Sequence, residues 1–207
     1  MPITNVSVMH EKLAYIEPIL QHWIQCANQY INTWNQGDLP YWYNERANVS
    51  ILAGAAWKAG WTAIQEHQAV KSANDKNDSG RNDLYLANAS LGVCAEAKIV
   101  YIDINSPEDF EGYVSRSMSA AKHGVETISG NDGDERLAIS FVVGKVKQND
   151  DMGESINRFK RMATEFPTHA YAIFCLDAEK TLTAKDGYYY PALLFILSEF
   201  KNLPANY

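Results

Sequence analysis

Cysteine is scarce in this chain and unpatterned. Three occur in 207 residues, Cys26, Cys94 and Cys175. All stand in apolar surroundings and none belongs to a C-x-x-C pair, which argues against a disulfide framework or a zinc site. They read as reduced thiols of a cytoplasmic protein. No apolar run approaches the roughly 20 residues that cross a bilayer, so no membrane partner is expected. The opening Met1-Pro2-Ile3-Thr4-Asn5-Val6-Ser7 lacks the basic and apolar segments of a secretion signal. G-x-S-x-G, the phosphate-binding P-loop and H-E-x-x-H are also missing, and no Cys–His pair has a recognisable context. Positive charge is in deficit, with a net charge of −7. Phosphate contacts come from Lys and Arg, so a surface that coats nucleic acid broadly is disfavoured, whereas a local basic groove is compatible.

With 46% hydrophobic residues, the chain suits one globular domain with a real core. Its centre of interest is Gly80-Arg81-Asn82-Asp83-Leu84-Tyr85-Leu86, followed by Leu91-Gly92-Val93-Cys94-Ala95-Glu96-Ala97-Lys98-Ile99-Val100. This reads as two short strands joined by Ala87-Asn88-Ala89-Ser90. Alternation along a strand puts Glu96 and Lys98 on one face and Val93, Ala95, Ala97 and Ile99 on the other. Asp83 shares a face with Tyr85, and hairpin pairing can bring it level with Glu96. Two carboxylates can hold a hard cation such as Mg²⁺ or Mn²⁺, and a nearby lysine can orient water or offset charge on a phosphate. An isolated E-x-K is common, and an exposed Glu–Lys pair is worth little. The weight comes from G-R-x-D, the hairpin spacing and the apolar flanks together.

The combination resembles the PD-(D/E)XK superfamily, the restriction-endonuclease-like nucleases. The signature positions are matched by Asp83, Glu96 and Lys98, with Asn82 where the family name has proline. Many members add an acid on the preceding helix, and Glu45 is the matching candidate, with Glu66 as its rival. The resemblance implies a phosphodiesterase, a metal-dependent endonuclease acting on nucleic acid, with DNA the expected substrate. It further implies Mg²⁺ or Mn²⁺ at Asp83 and Glu96, Lys98 assisting the attacking water, and Glu45 completing the site. Lys71 and Arg81 are the candidates to contact nucleic acid. Cutting both strands would take a homodimer or two successive nicks.

Along the chain, Leu13, Ile16, Leu20, Trp23, Ala27, Tyr30, Ile31 and Trp34 recur at helical spacing, so residues from about Ser7 to Trp34 read as helical. The aromatic stripe continuing through Tyr41 and Trp42 reads as packing. A second helix is expected from Tyr41 to Ala59, with Glu45 on the stripe of Val49, Leu52 and Ala56. Its Ala53-Gly54-Ala55-Ala56 run would allow close approach to a sheet. Trp61 to Val70 reads as a strand, in which His67 is a lone histidine. Residues 72–79 read as a polar loop. Ser106 and Pro107 mark a helix start, and His123-Gly124 its end. The acids near Gly130 and Gly133 lack calcium-loop spacing. Leu137–Val143 reads as a strand buried on both faces. A helix follows from Met152 to Ala163, whose Arg158, Lys160 and Arg161 join Lys145 and Lys147 as the densest basic cluster, by default a solvated face. Ala170–Leu176 is another buried strand. Tyr188–Leu197 is ambiguous, and Pro191 suggests an edge strand or a turn into a helix.

The expected fold is therefore α/β: a mixed central sheet flanked by helices, with an αβββαβ core of restriction-endonuclease-like order. The expected layout is an N-terminal helical region (1–40), the core (41–145) and C-terminal elements completing the sheet (146–207). The alternative is a non-catalytic protein that keeps this fold and acts as a binding or inhibitor subunit.

Overall fold

The computed structural model describes residues 2–73, 76–106, 110–128, 133–176 and 186–200, and side chains within them except those of 72–78 and 199–200. The described elements are β1 (Ile3–Val8), α1 (Ile16–Thr33), α2 (Glu45–Lys58), β2 (Thr62–Ala73), β3 (Lys76–Ala87), β4 (Gly92–Asp103), α3 (Phe110–Glu126), β5 (Glu135–Lys147), α4 (Met152–Glu165), β6 (Ala170–Cys175) and β7 (Tyr188–Phe200). Short 3-10 turns at Glu11–Leu13 and Pro40–Trp42 precede α1 and α2.

All seven strands join one sheet, in the order β1-β6-β7-β5-β4-β3-β2. The β4–β5 pair is parallel and every other neighbouring pair is antiparallel. A parallel pair needs a long crossover, and α3 supplies it. Helices α1 and α2 cover one face, where Trp23, Leu52, Ala95, Phe141 and Phe195 share a buried cluster. Helices α3 and α4 cover the other, around Val114, Met118, Val142, Phe159 and Ile196. No described helix is long and apolar enough to cross a membrane.

β5 is buried on both faces from Leu137 to Gly144, as its apolar run suggests. Trp23 and Tyr41 are fully buried, in keeping with packing, whereas Trp34 is exposed. Gly54 is not used for close approach: a Cβ there would meet nothing within 4 Å.

Several expectations need correction. Residues 1–40 are not purely helical, because β1 pairs along β6 before α1 begins. Helix α1 starts only at Ile16 and takes Pro18 into its first turn, where a missing N–H costs nothing. The expected loop at 72–79 is largely strand, since β2 runs to Ala73 and β3 starts at Lys76. A two-stranded ribbon needs only backbone pairing, so its polar composition carried no strand signal. Pro191 lies in β7, an interior strand, and not at an edge. It falls at an irregularity, where the β5–β7 register shifts between Gly144 and Val146 and the lost N–H breaks no regular ladder. Pro107 and residues 129–132 lie outside the described residues.

Candidate active site

The sheet divides at the motif. β3 and β4 pair only from Leu84–Ala87 against Gly92–Ala95. Beyond Leu84 and Ala95 they part: β4 continues alongside β5 to Asp103, and β3 continues alongside β2 to Lys76. Asp83, Glu96 and Lys98 stand at this fork, so residues that alternation places near one another face a cleft between diverging strands.

Asp83 is anchored where the ladder stops. Its Oδ2 accepts the Ala97 N–H at 2.8 Å, which satisfies a backbone donor the parted strand no longer serves. The Lys98 Nζ lies 3.8 Å from the same oxygen and 3.5 Å from Glu45 Oε2. It also donates to the Ala97 carbonyl. Glu45 reaches the cleft because α2 begins there: the Asn44 side chain accepts the Ala47 N–H at 3.0 Å and caps the helix, making Glu45 its first residue. A carboxylate in this first turn is also favoured by the helix dipole. Burial pushes the Glu45 carboxyl above its ordinary value, Lys98 pulls it down, and Asp83 pushes it up again.

Glu96 is only 5% exposed and points toward α3. Gly124 of that helix makes room for it: a Cβ at 124 would fall 3.0–3.3 Å from Glu96 Oε2, Cγ and Cδ. Burial raises the Glu96 carboxyl, while its hydrogen bond from Lys71 works the other way. Lys71 Nζ lies 2.6 Å from Glu96 Oε1, and the two side chains are 25% and 6% exposed. Lys71, expected to face nucleic acid, is thus engaged inside the site.

Glu66 explains how Lys71 gets there. Its φ is 51°, a left-handed conformation uncommon for a non-glycine residue. It lies between the pairs Gln65–Leu84 and His67–Asn82, where the β2–β3 ladder skips Glu66 and Asp83. Residues two apart should share a face, yet they do not across this point. Ala63 packs with the α1/α2 cluster and Gln65 accepts from Ser50 of α2. Lys71 instead reaches Glu96 beneath α3, and His67 stacks on Tyr85 with ring centroids 4.7 Å apart. The alternation reverses at Glu66, turning the far half of the ribbon over.

The Glu66 carboxylate lies 3.2 Å from Arg46 Nε and 3.6 Å from Arg81 Nη1. With Glu45, Arg46, Gln65 and Asp83 it lines a small pocket, so both rival acids border the cleft. Only Glu45 contacts Lys98. Arg81 is largely exposed beside it. His67 Nδ1 and both polar atoms of Asn82 are buried without a hydrogen-bond partner among the described residues. The other basic residues do not form one cluster. Lys145 lies over the Tyr188 ring and Lys147 pairs with Asp103 at 3.8 Å. Arg158, Lys160 and Arg161 line a separate groove of about 710 Å³ beside β1.

The donor set suits a hard cation. Asp83 Oδ1 and Glu96 Oε2 carry no hydrogen bond among the described residues, so each carboxylate keeps one oxygen uncommitted while the other is held. No group of three acids, imidazoles or thiols among the described residues forms a ready cage. Mg²⁺ does not need one, because it is commonly bound through one or two carboxylates, waters and phosphate oxygens. Alternation and spacing were enough to bring Asp83, Glu96 and Lys98 near one another. The part of Lys71 carried no such signal, since counting by twos from Gln65 assigns it to the wrong face.

The fold and cleft define an α/β protein with a mixed seven-stranded sheet and a carboxylate–lysine cluster at a strand fork. No protein-family model, curated protein or solved structure matches the chain.

Proposed function

We propose that the protein is a metal-dependent nuclease with a restriction-endonuclease-like core, hydrolysing phosphodiester bonds in nucleic acid, with DNA the favoured substrate, in the cytoplasm. The observation that carries the proposal is convergence at the fork. Glu45 from α2, Asp83 from β3 and Lys98 from β4 lie within one set of ion pairs, with Glu96 beside them. The element order from α2 to β5 supports it independently of the motif: helix, three antiparallel strands, helix, parallel strand.

Asp83 and Glu96 would hold the divalent ion, which when bound makes a water more nucleophilic and offsets phosphate charge. Ala97 N–H fixes the Asp83 carboxylate. Lys98, held between Glu45 and Asp83, presents its ammonium where it can hydrogen-bond the attacking water and stabilise charge growing on the phosphate. Glu45 orients Lys98. Arg81 stands at the rim to meet the backbone of the substrate.

The test is cleavage of supercoiled plasmid, linear duplex, single-stranded DNA and RNA with Mg²⁺, Mn²⁺ or chelator. Asp83→Asn and Lys98→Ala are expected to lower cleavage at least about 100-fold while their melting curves stay native-like. Equal cutting by variant and wild type would reject the assignments. The direct Lys71–Glu96 pair favours a second reading, a binding or inhibitor protein on the same fold whose site is closed by its own lysine. Absence of cutting on every substrate and with every metal would support it.

A further inference from the structure

A buried carboxylate is costly without a partner, and the partner of Glu96 is Lys71, expected from the sequence to contact nucleic acid instead. The contact with Lys71 is built from both sides. Gly80 makes room for the lysine stem: a Cβ there would come within 2.7 and 2.8 Å of Lys71 Cγ and Cδ. Gly124 makes room for the glutamate. An isolated backbone bridge between Lys71 and Ile128 ties the ribbon to the chain just past α3. At its other end the ribbon turns over at Glu66, whose pairs to Arg46 and Arg81 involve mostly exposed arginines and hold it weakly.

We propose that Lys71 is an internal counter-cation that competes with the divalent ion for Glu96, so that the far half of the β2–β3 ribbon withdraws Lys71 when metal binds. The inference rests on the metal-dependent reading of the cleft. An ammonium at 2.6 Å from Oε1 leaves Glu96 only the oxygen under Gly124, and a second cation there would stand against the first with little water to screen them. Metal affinity then carries the cost of moving Lys71. The left-handed Glu66 and the gap in the ladder beside it are where the ribbon bends.

The experiment measures Mn²⁺ binding by the electron paramagnetic resonance signal of the free ion at pH 8, with wild type, Lys71→Met, Asp83→Asn and Glu96→Gln. Methionine keeps a stem over Gly80 and removes the charge. Lys71→Gln serves where Lys71→Met fails to give a native circular dichroism spectrum. The neutral variant is expected to bind Mn²⁺ about tenfold more tightly than wild type and to gain a larger rise in Tm from it. In wild type, Mn²⁺ is expected to speed amide exchange at Lys71 and Ile128. Equal or weaker binding by the neutral variant, with wild-type binding lost in Asp83→Asn and Glu96→Gln, would overturn the competition and leave the metal-dependent reading standing. Failure of both wild type and neutral variant to bind would overturn both.

Discussion

Glu96 and Glu45 are the two acids of the cleft whose carboxyls burial displaces. Burial is the leading cause at each and raises both carboxyls above the ordinary 4.5. A raised acid contributes stability that is fully present below the unfolded value and is lost as pH rises through the folded one. The proposed function runs in the opposite direction, because a carboxylate must lose its proton to hold a cation. Under the proposed metal-dependent reading, cleavage is therefore expected to fall on acidification at a pH above 4.5, sooner than ordinary glutamates would impose. A pH–rate profile checks this, and an acid limb at or below 4.5 would refute it. At this scale the motif residues were legible because strand alternation holds from Asp83 to Leu86 and from Val93 to Lys98. Lys71 was not, because one non-glycine residue with positive φ reverses the count.

Two helical glycines separate propensity from packing. Gly54 lies within α2 and its missing Cβ would meet nothing within 4 Å. Gly54→Ala is expected to stabilise the protein by about 0.5–1 kcal/mol through helix propensity alone. Gly124 lies within α3, with the Glu96 carboxylate 3.0 Å from the position of its absent Cβ. Gly124→Ala is expected to lose that gain and to lower stability below wild type, since the displaced carboxylate is pinned by Lys71. Paired urea melts decide the matter, and equal stabilisation by both substitutions would show that Glu96 has room to move. The long helices were readable because their apolar periods persist over several turns. β1 was not, since it is an edge strand with Ile3, Thr4 and Asn5 exposed, which leaves only Val6 and Val8 to signal burial.

For the molecule as a whole, the sheet centre carries the stability. Trp23 of α1 is fully buried against Phe141 and Phe195, with ring centroids 6.4 and 5.6 Å apart. Trp23→Ala is expected to cost about 3–5 kcal/mol, a large share of the roughly 5–15 kcal/mol that holds a domain together. Chemical denaturation measures it, and a loss under about 1 kcal/mol would mean the α1 layer is dispensable. The order of elements was legible from Tyr41 to Val143, where apolar periods alternate between helix and strand. β7 was the exception: its proline suggested an edge, but the bulge that accommodates it left no trace in the pattern of apolar residues.

The reversal at Glu66 has a consequence for solubility and self-association. β2 is an outer strand of the sheet, and Ile64 and Val70 stand exposed on either side of Glu66. A long outer strand with exposed apolar side chains invites a strand from another copy to add to it, the first step toward aggregation. An incoming strand would follow the margin only as far as the left-handed residue, then meet a misaligned backbone and a carboxylate. The kink that turns Lys71 toward the cleft thus also shortens the template on which copies of the chain could stack.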